Sequence, residues 1–378
     1  YLFLMKKKIA IIGAGFSGTT IADLLSKDSN YSVTLFESNS HPGGGCWTKY
    51  YGGHPYTLGP RIFYTPKSKT FEYLDSKVKI RQYITRSLSY VEADDNFYSY
   101  PLQWKDIERM PDKEKVKGEL DSLNPKDISI ENFESYWLSA IGPTMYEKFV
   151  NNYSKKMWSI KSNKELSANF EWINKGTPIR DGDERLFGEQ LTGYPYNIDG
   201  YNSFFSNILK DKEVYYSTKV IHIDRDKLEL TFDKNGEQGK FSADLIINTG
   251  HTDEVFNFEH GELAYSGRQL IKVVLPSEYA FDKDYEWVHY SGEEEYTRIV
   301  DFKKVTQHKS PNCLLTIEIP ADVNRLYPKQ IESELTKYDN YRNDFPKNYF
   351  CLGRLGNFKY TGICDAIDQA HDLFSDLK

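Results

Sequence analysis

Apolar residues follow two different spacings along this chain, and the switches between them outline its architecture. The run Lys8-Ile9-Ala10-Ile11-Ile12 has no polar alternation, as a strand covered on both faces requires. An amphipathic segment to Leu25 follows, and a second apolar run, Val33-Thr34-Leu35-Phe36, ends in the acid Glu37. Strand, helix and strand in this order predict a βαβ unit. Residues 66–190 lose that rhythm. They hold helix-like segments at 67–74, 107–123 and 132–158, separated by Pro-, Gly- and Asp-rich connections such as 176–183. The α/β pattern returns near Asp199, with a helix over 201–209, a strand over 220–223, a hairpin pair at 227–232 and 240–241, and a buried run at 244–250. Segments 271–275, 287–290, 297–302 and 314–319 alternate and predict an antiparallel sheet. A last strand and Gly-bearing turn over 349–354, then a helix from about Ile363, close the chain.

The fold expected is therefore α/β, with a Rossmann-like domain assembled from three pieces, 5–65, 199–260 and 345–378. A mainly helical insertion, 66–198, would carry substrate contacts, and 261–344 would form the antiparallel sheet domain. The turn after the first strand reads Gly13-Ala14-Gly15-Phe16-Ser17-Gly18. Gly13 permits the tight turn, Gly15 lets the backbone approach a pyrophosphate, and Gly18 lets helix pack on strand. The N–H groups opening that helix, from Phe16 and Ser17 onward, suit phosphate oxygens. Glu37 lies 19 residues past Gly18, where a carboxylate can accept from ribose hydroxyls. A second cluster, Gly43-Gly44-Gly45-Cys46, continues the phosphate loop through Gly44 and Cys46. Closure by a C-terminal strand and helix at Gly353-Arg354 suits an FAD domain and has no role in an NAD-linked dehydrogenase.

Composition narrows the partners. The formal charge is −7 and the pI about 5.7, so no global basic field recruits nucleic acid or an anionic membrane. An anionic substrate must be held by local arginines. Cys46, Cys313, Cys351 and Cys364 show no metal-ligand spacing, and reduced buried thiols suggest a cytoplasmic protein with no metal. No apolar run approaches the ~18–20 residues of a membrane span. Residues 1–4 are too short for a signal peptide, which makes Met5 the expected native start.

Six motifs, in order along the chain, resemble those of the UDP-galactopyranose mutase family. Tyr56-Thr57-Leu58-Gly59-Pro60-Arg61-Ile62-Phe63-Tyr64-Thr65 is similar to its Gly-Pro-His-Ile-Phe-His-Thr, with both histidines replaced. Asn152-Tyr153-Ser154-Lys155-Lys156-Met157-Trp158 resembles Tyr-x-x-Lys-Gln-Trp. Thr177-Pro178-Ile179-Arg180, with Gly193-Tyr194-Pro195 and Gly200-Tyr201, resembles Pro-Val-Arg, Gly-x-Pro and Gly-Tyr. Thr249-Gly250 with Asp253 and Phe256, the run from Tyr296 to Lys303, and the run from Gly353 to Tyr360 supply the rest.

The resemblance implies an isomerase that interconverts pyranose and furanose forms of a nucleoside-diphosphate sugar, with N5 of reduced FAD as nucleophile on the anomeric carbon. It implies Arg180 and Arg298 as a diphosphate clamp, Tyr327 and Tyr360 as phenols on the same group, and Tyr153 and Trp158 against the base. It also places Arg354 on the flavin side and implies a homodimer. Plainer readings stand beside these: a cross-strand ion pair of Arg298 with a neighbour such as Glu294, a loop salt bridge of Arg180 with Asp181 or Asp183, and ordinary helix packing for Tyr153 and Trp158. Departures at Arg61, Tyr64, Leu186, Thr361-Gly362 and Ser266-Gly267, where an arginine is expected, point to a sugar other than UDP-galactose, a deoxy- or amino-sugar, or to another nucleotide. Arg61 could stabilise reduced anionic flavin. An amine-oxidase-type flavin oxidase and a non-catalytic FAD or nucleotide-sugar binder remain the competing functions.

Overall fold

The parallel strands are largely apolar where their residues are covered on both faces. In the computed structural model, which describes residues 6–124, 126–167, 179–282 and 284–378, five strands make one parallel sheet. Their order is Glu213–Tyr215, Tyr31–Phe36, Lys7–Ile12, Leu245–Asn248, Tyr349–Cys351. Ile9, Ala10 and Ile11 are fully buried, with Ile9 and Ile11 on one face and Ala10 on the other. Helices Phe16–Leu25 and Ile363–Asp376 lie together on the first face, so the chain's end seals its beginning. The opposite face takes a three-stranded antiparallel sheet, Thr218–Asp224, Glu229–Lys234 and Glu237–Ser242. Its hairpin turns at Asn235-Gly236, both at positive φ, the geometry that a two-residue turn between twisted strands prefers.

The second sheet has seven strands, in the order Tyr327–Pro328, Tyr265–Leu275, Cys313–Ala321, Arg298–Asp301, Trp287–Tyr290, Ser87–Val91, Asn96–Tyr100. The last two come from the stretch expected to be mainly helical. Ser87–Val91 pairs parallel with Trp287–Tyr290, so the sheet runs beyond the 261–344 boundary. Small Ser87 and Ser89 alternating with Leu88 and Tyr90 give a weak apolar period, which hides the strand. The helix anticipated over 132–158 is interrupted. Gly142 has φ +77 before Pro143, the helix resumes as far as Tyr146, a π-turn spans Glu147–Asn151, and α-geometry returns over Asn152–Trp158. Proline cannot donate and pushes its predecessor out of the α region. Likewise 107–123 divides at Pro111 into Trp104–Ile107 and Lys113–Ser122. These helices enclose a second core that includes Trp137, Met145, Trp158 and Tyr327. Thr177 and Pro178 of the arginine-loop motif, and Met5, lie outside the described residues. Among the described residues, no helix is long and apolar enough to cross a membrane.

Candidate active site

The first glycine turn is built in two layers. Gly13 has φ +93, and a Cβ there would collide with Thr249 Oγ1; one at Gly18 would collide with the Gly13 carbonyl. Gly353, at φ +72, is pressed against Ser17 Oγ in the same way. Gly15 differs, because a Cβ there would meet no atom within 4 Å, and the same holds for Gly44. The packed glycines therefore hold the turn, while Gly15 and Gly44 leave its outer surface open. The Phe16 side chain points into the core, with its ring 5.2 Å from Tyr201 and 4.9 Å from both Phe204 and Phe205. Only its backbone can face a ligand. Gly43 N–H donates to the Ala14 carbonyl (2.8 Å), tying the second glycine cluster onto the first. The buried Glu37 carboxylate accepts from Ala14 N–H (2.8 Å), Asn39 N–H (2.8 Å) and Asn39 Nδ2 (2.7 Å), fixing its charge beside the helix N-terminus. An open backbone cradle, free first-turn N–H groups and a fixed acid are the donor set that a dinucleotide requires.

Beyond the cradle, arginines converge. Arg61, at φ +51, donates from Nε to the Gly45 carbonyl (3.2 Å) beside Cys46. Burial pushes the Cys46 thiol up, against the opposing charges of Arg61 and Arg354. Arg354 donates from Nε (3.1 Å) and Nη2 (2.6 Å) to the Thr361 carbonyl, and its guanidinium lies 4.7 Å from the ring centres of both Tyr327 and Tyr360. Those rings are stacked at 5.9 Å. Arg268 stands 4.7 Å from the Tyr327 ring centre. It is 3 % exposed and is held by Ser266 Oγ (2.9 Å), the Gly267 carbonyl, and the carbonyl and sulfur of Met157. Burial alone would raise the Tyr327 phenol, but Arg61, then Arg354 and Arg268, reverse this and bring it down to about 8.

Arg298 completes the cluster. Its Nε (3.1 Å) and Nη2 (2.7 Å) both donate to Glu318 Oε2, and Glu318 is 2 % exposed. The pairing follows from register, since Arg298 lies opposite Glu318 on adjacent antiparallel strands. Burial opposes the Arg298 charge, but Glu318 more than restores it, so its pKa stands above the ordinary value. Glu294 is not its partner: that carboxylate takes Lys156 at 3.2 Å. Nor does Asp183 form a loop salt bridge with Arg180. Asp183 holds Arg185, from Nε at 2.8 Å and Nη2 at 3.1 Å, and Arg180 donates to the Arg185 carbonyl (2.7 Å). Arg180 is anchored by backbone bonds to Leu102 and Trp104 and lies on the Tyr100 side of the site.

Tyr153 and Trp158 separate, as their helical offset suggests. Tyr153 Oη lies 3.1 Å from His289 Nδ1, while Trp158 is fully buried with its ring edge-on to Tyr327 (6.4 Å) and Tyr360 (6.3 Å). Trp158 thus backs the two phenols. Tyr64 stacks on Phe187 at 3.9 Å, next to Leu186 in sequence. Sequence reasoning missed Arg268, Glu318 and His289. The absent arginine at Ser266-Gly267 has its guanidinium two residues on, at Arg268. Strand alternation over Cys313–Ala321, with Leu314, Thr316 and Glu318 buried on one side, was the available signal for Glu318.

This geometry defines a Rossmann-like dinucleotide-binding protein with an arginine-rich second site. Residues 11–76 match the NAD(P)-binding Rossmann-like domain model. Residues 148–360, more than half of the chain, match the UDP-galactopyranose mutase model, and the chain belongs to that family of enzymes. It is 26% identical to dTDP-fucopyranose mutase of Escherichia coli over 96% of each chain. A solved structure of reduced UDP-galactopyranose mutase superposes with a TM-score of 0.81 at 19% identity, covering 98% of this chain and 95% of that one. Putrescine oxidase shares the fold more distantly, with a TM-score of 0.62 at 14% identity and 99% of each chain covered.

Proposed function

We propose that this enzyme interconverts the pyranose and furanose forms of a nucleoside-diphosphate sugar and uses reduced FAD. The observation that carries the reading is the convergence of Arg61, Arg268, Arg298 and Arg354 on the Tyr327 phenol, with the Glu318 carboxylate beside them. One carboxylate cannot balance four guanidiniums, one of them buried (Arg268) and three half-buried, and a diphosphate supplies the missing negative charge. The open cradle at Gly15 and Gly44, with Glu37, suits the adenosine end of FAD, and Arg61, Cys46 and Arg354 lie toward its flavin side. When bound and reduced, the flavin supplies the nucleophile toward the anomeric carbon.

The remaining work belongs to the chain. As the anomeric carbon–oxygen bond breaks, charge collects on the diphosphate. Arg298 and Arg180 stabilise that charge through charge-assisted hydrogen bonds and retain the leaving group for its return. Tyr327 and Tyr360 donate to the same oxygens, held upright by Trp158. Tyr153 meets the nucleoside. Arg61 and Tyr64 stand in place of histidines, and the apolar Phe187 ring, next to Leu186 in an otherwise charged loop, lies on Tyr64, which favours a sugar lacking a hydroxyl at that point. The likeness to dTDP-fucopyranose mutase, fucose being a deoxy sugar, supports that choice. The test is incubation of the FAD-loaded, dithionite-reduced protein with UDP- and dTDP-linked hexoses and deoxyhexoses. We expect ring-form exchange of a deoxy sugar with no reductant consumed. UDP-galactofuranose as the best substrate would refute the sugar assignment, and stoichiometric oxidation would favour an oxidase.

A further inference from the structure

We propose that His289 is a positioning residue for the nucleoside end of the site, locked by Trp287 in the tautomer that donates from Nδ1 to Tyr153 Oη. The inference rests on the nucleoside-diphosphate reading above and adds a residue and a proton arrangement to it.

Trp287 Nε1 lies 2.9 Å from His289 Nε2. An indole N–H donates and cannot accept, so Nε2 must present its lone pair and the ring proton must sit on Nδ1. Nδ1 is 3.1 Å from Tyr153 Oη, and the two rings meet edge to face at 5.3 Å. One hydrogen bond therefore dictates the direction of the next.

The ring has little freedom to escape this arrangement. Trp287 and His289 are two residues apart on one strand, so both side chains leave the same face. Tyr100, from the strand two places away in the sheet, lies 5.0 Å from the imidazole. The charged group facing it is Arg298, its register partner on the next strand. Burial first, and then Arg298, bring the His289 pKa down to about 3, so the imidazole stays neutral.

This rung has a functional consequence. His289, which orients Tyr153, lies directly opposite Arg298, which faces Glu318 and the diphosphate cluster. The same pair of strands thus registers the nucleoside end against the diphosphate end. A histidine free to flip would let the phenol swing and would relax that register.

Nitrogen-15 NMR of histidine in the intact protein reads the tautomer directly. The expected signal has Nδ1 protonated and Nε2 unprotonated, unchanged across neutral and mildly acidic pH. An Nε2-protonated ring, or titration near the ordinary histidine value, would overturn the assignment. Calorimetric affinities for UDP and dTDP then test the role. His289→Phe and Tyr153→Phe should each weaken binding roughly 5- to 30-fold, as loss of one partly buried hydrogen bond predicts. The double variant should be no worse than the weaker single, and His289→Asn, whose amide can replace the Nδ1 donor, should recover most of the loss. Additive losses sink the assignment alone. Absence of binding by the unaltered protein sinks the nucleoside-diphosphate reading and the role of His289 with it. If His289→Phe does not fold, Trp287→Phe serves: both tautomers should then appear, and an unchanged single tautomer would refute the lock.

Discussion

The Tyr327 phenol reports on the arginine cluster, and its ionisation can be worked through. Burial favours the neutral phenol, yet Arg61, Arg354 and Arg268 bring the value from 10 to about 8. Two units correspond to about 2.7 kcal/mol of stabilisation of the phenolate relative to an ordinary tyrosine. At the 4.7 Å between the Arg268 guanidinium and the ring centre, an effective dielectric near 20 gives an attraction of up to about 3.5 kcal/mol. Arg268→Met keeps the volume and removes that charge, so the phenol should rise by roughly 1–2 units. Tyrosine labelled with carbon-13 at Cζ makes the titration visible, and Tyr327→Phe identifies the resonance. UDP should also raise the phenol, because its phosphates neutralise the same guanidiniums. A titration at the ordinary tyrosine value, unmoved by Arg268→Met or by UDP, would refute the cluster as described.

Other consequences follow from the same geometry. Glu318→Gln leaves Arg298 buried without its carboxylate and should cost about 2–4 kcal/mol of stability. UDP should then raise the variant's Tm by more than it raises the parent's, and equal shifts would count against a diphosphate at Arg298. Gly15→Val should leave the apoprotein's Tm nearly unchanged but lower FAD retention at least tenfold, because open space lies beyond that position. Gly13→Ala should instead destabilise the fold through its positive φ and its clash with Thr249, and matching behaviour of the two variants would contradict the layered turn. Burial raises Glu286 from 4.5 to about 7. The folded state therefore binds that proton more tightly than the unfolded chain, and stability should fall by up to about 3 kcal/mol as pH rises from below 4.5 through 7. Glu286→Gln should flatten this part of the Tm–pH profile, and an unchanged slope would refute the assignment.

Much of the Rossmann-like unit was legible because its signals are local. Continuous apolar strands, the Gly13–Gly18 turn and Glu37 all lie within one βαβ unit. Arg298 was visible within its motif, but its partner was not. Glu318 lies 20 residues away and meets Arg298 only through strand register. Arg268 escaped notice because its guanidinium reaches the site from two positions beyond the expected one, with Ser266, Gly267 and Met157 steering it. The helical stretch 132–158 hid its interruption in the pair Gly142-Pro143, which apolar periodicity does not register. His289 carried no sequence signal, since its place depends on Tyr153 and Tyr100 arriving from two other elements.

In the proposed reaction the bond between the anomeric carbon and the diphosphate is broken and remade while the nucleotide stays clamped. A nucleotide sugar labelled with oxygen-18 at that bridging position tests it most directly. With the reduced, FAD-loaded protein, the label should scramble into the non-bridging oxygens of the β-phosphate, and Arg298→Met should slow the exchange by at least tenfold. Label that stays in the bridge while the ring form changes would contradict the account.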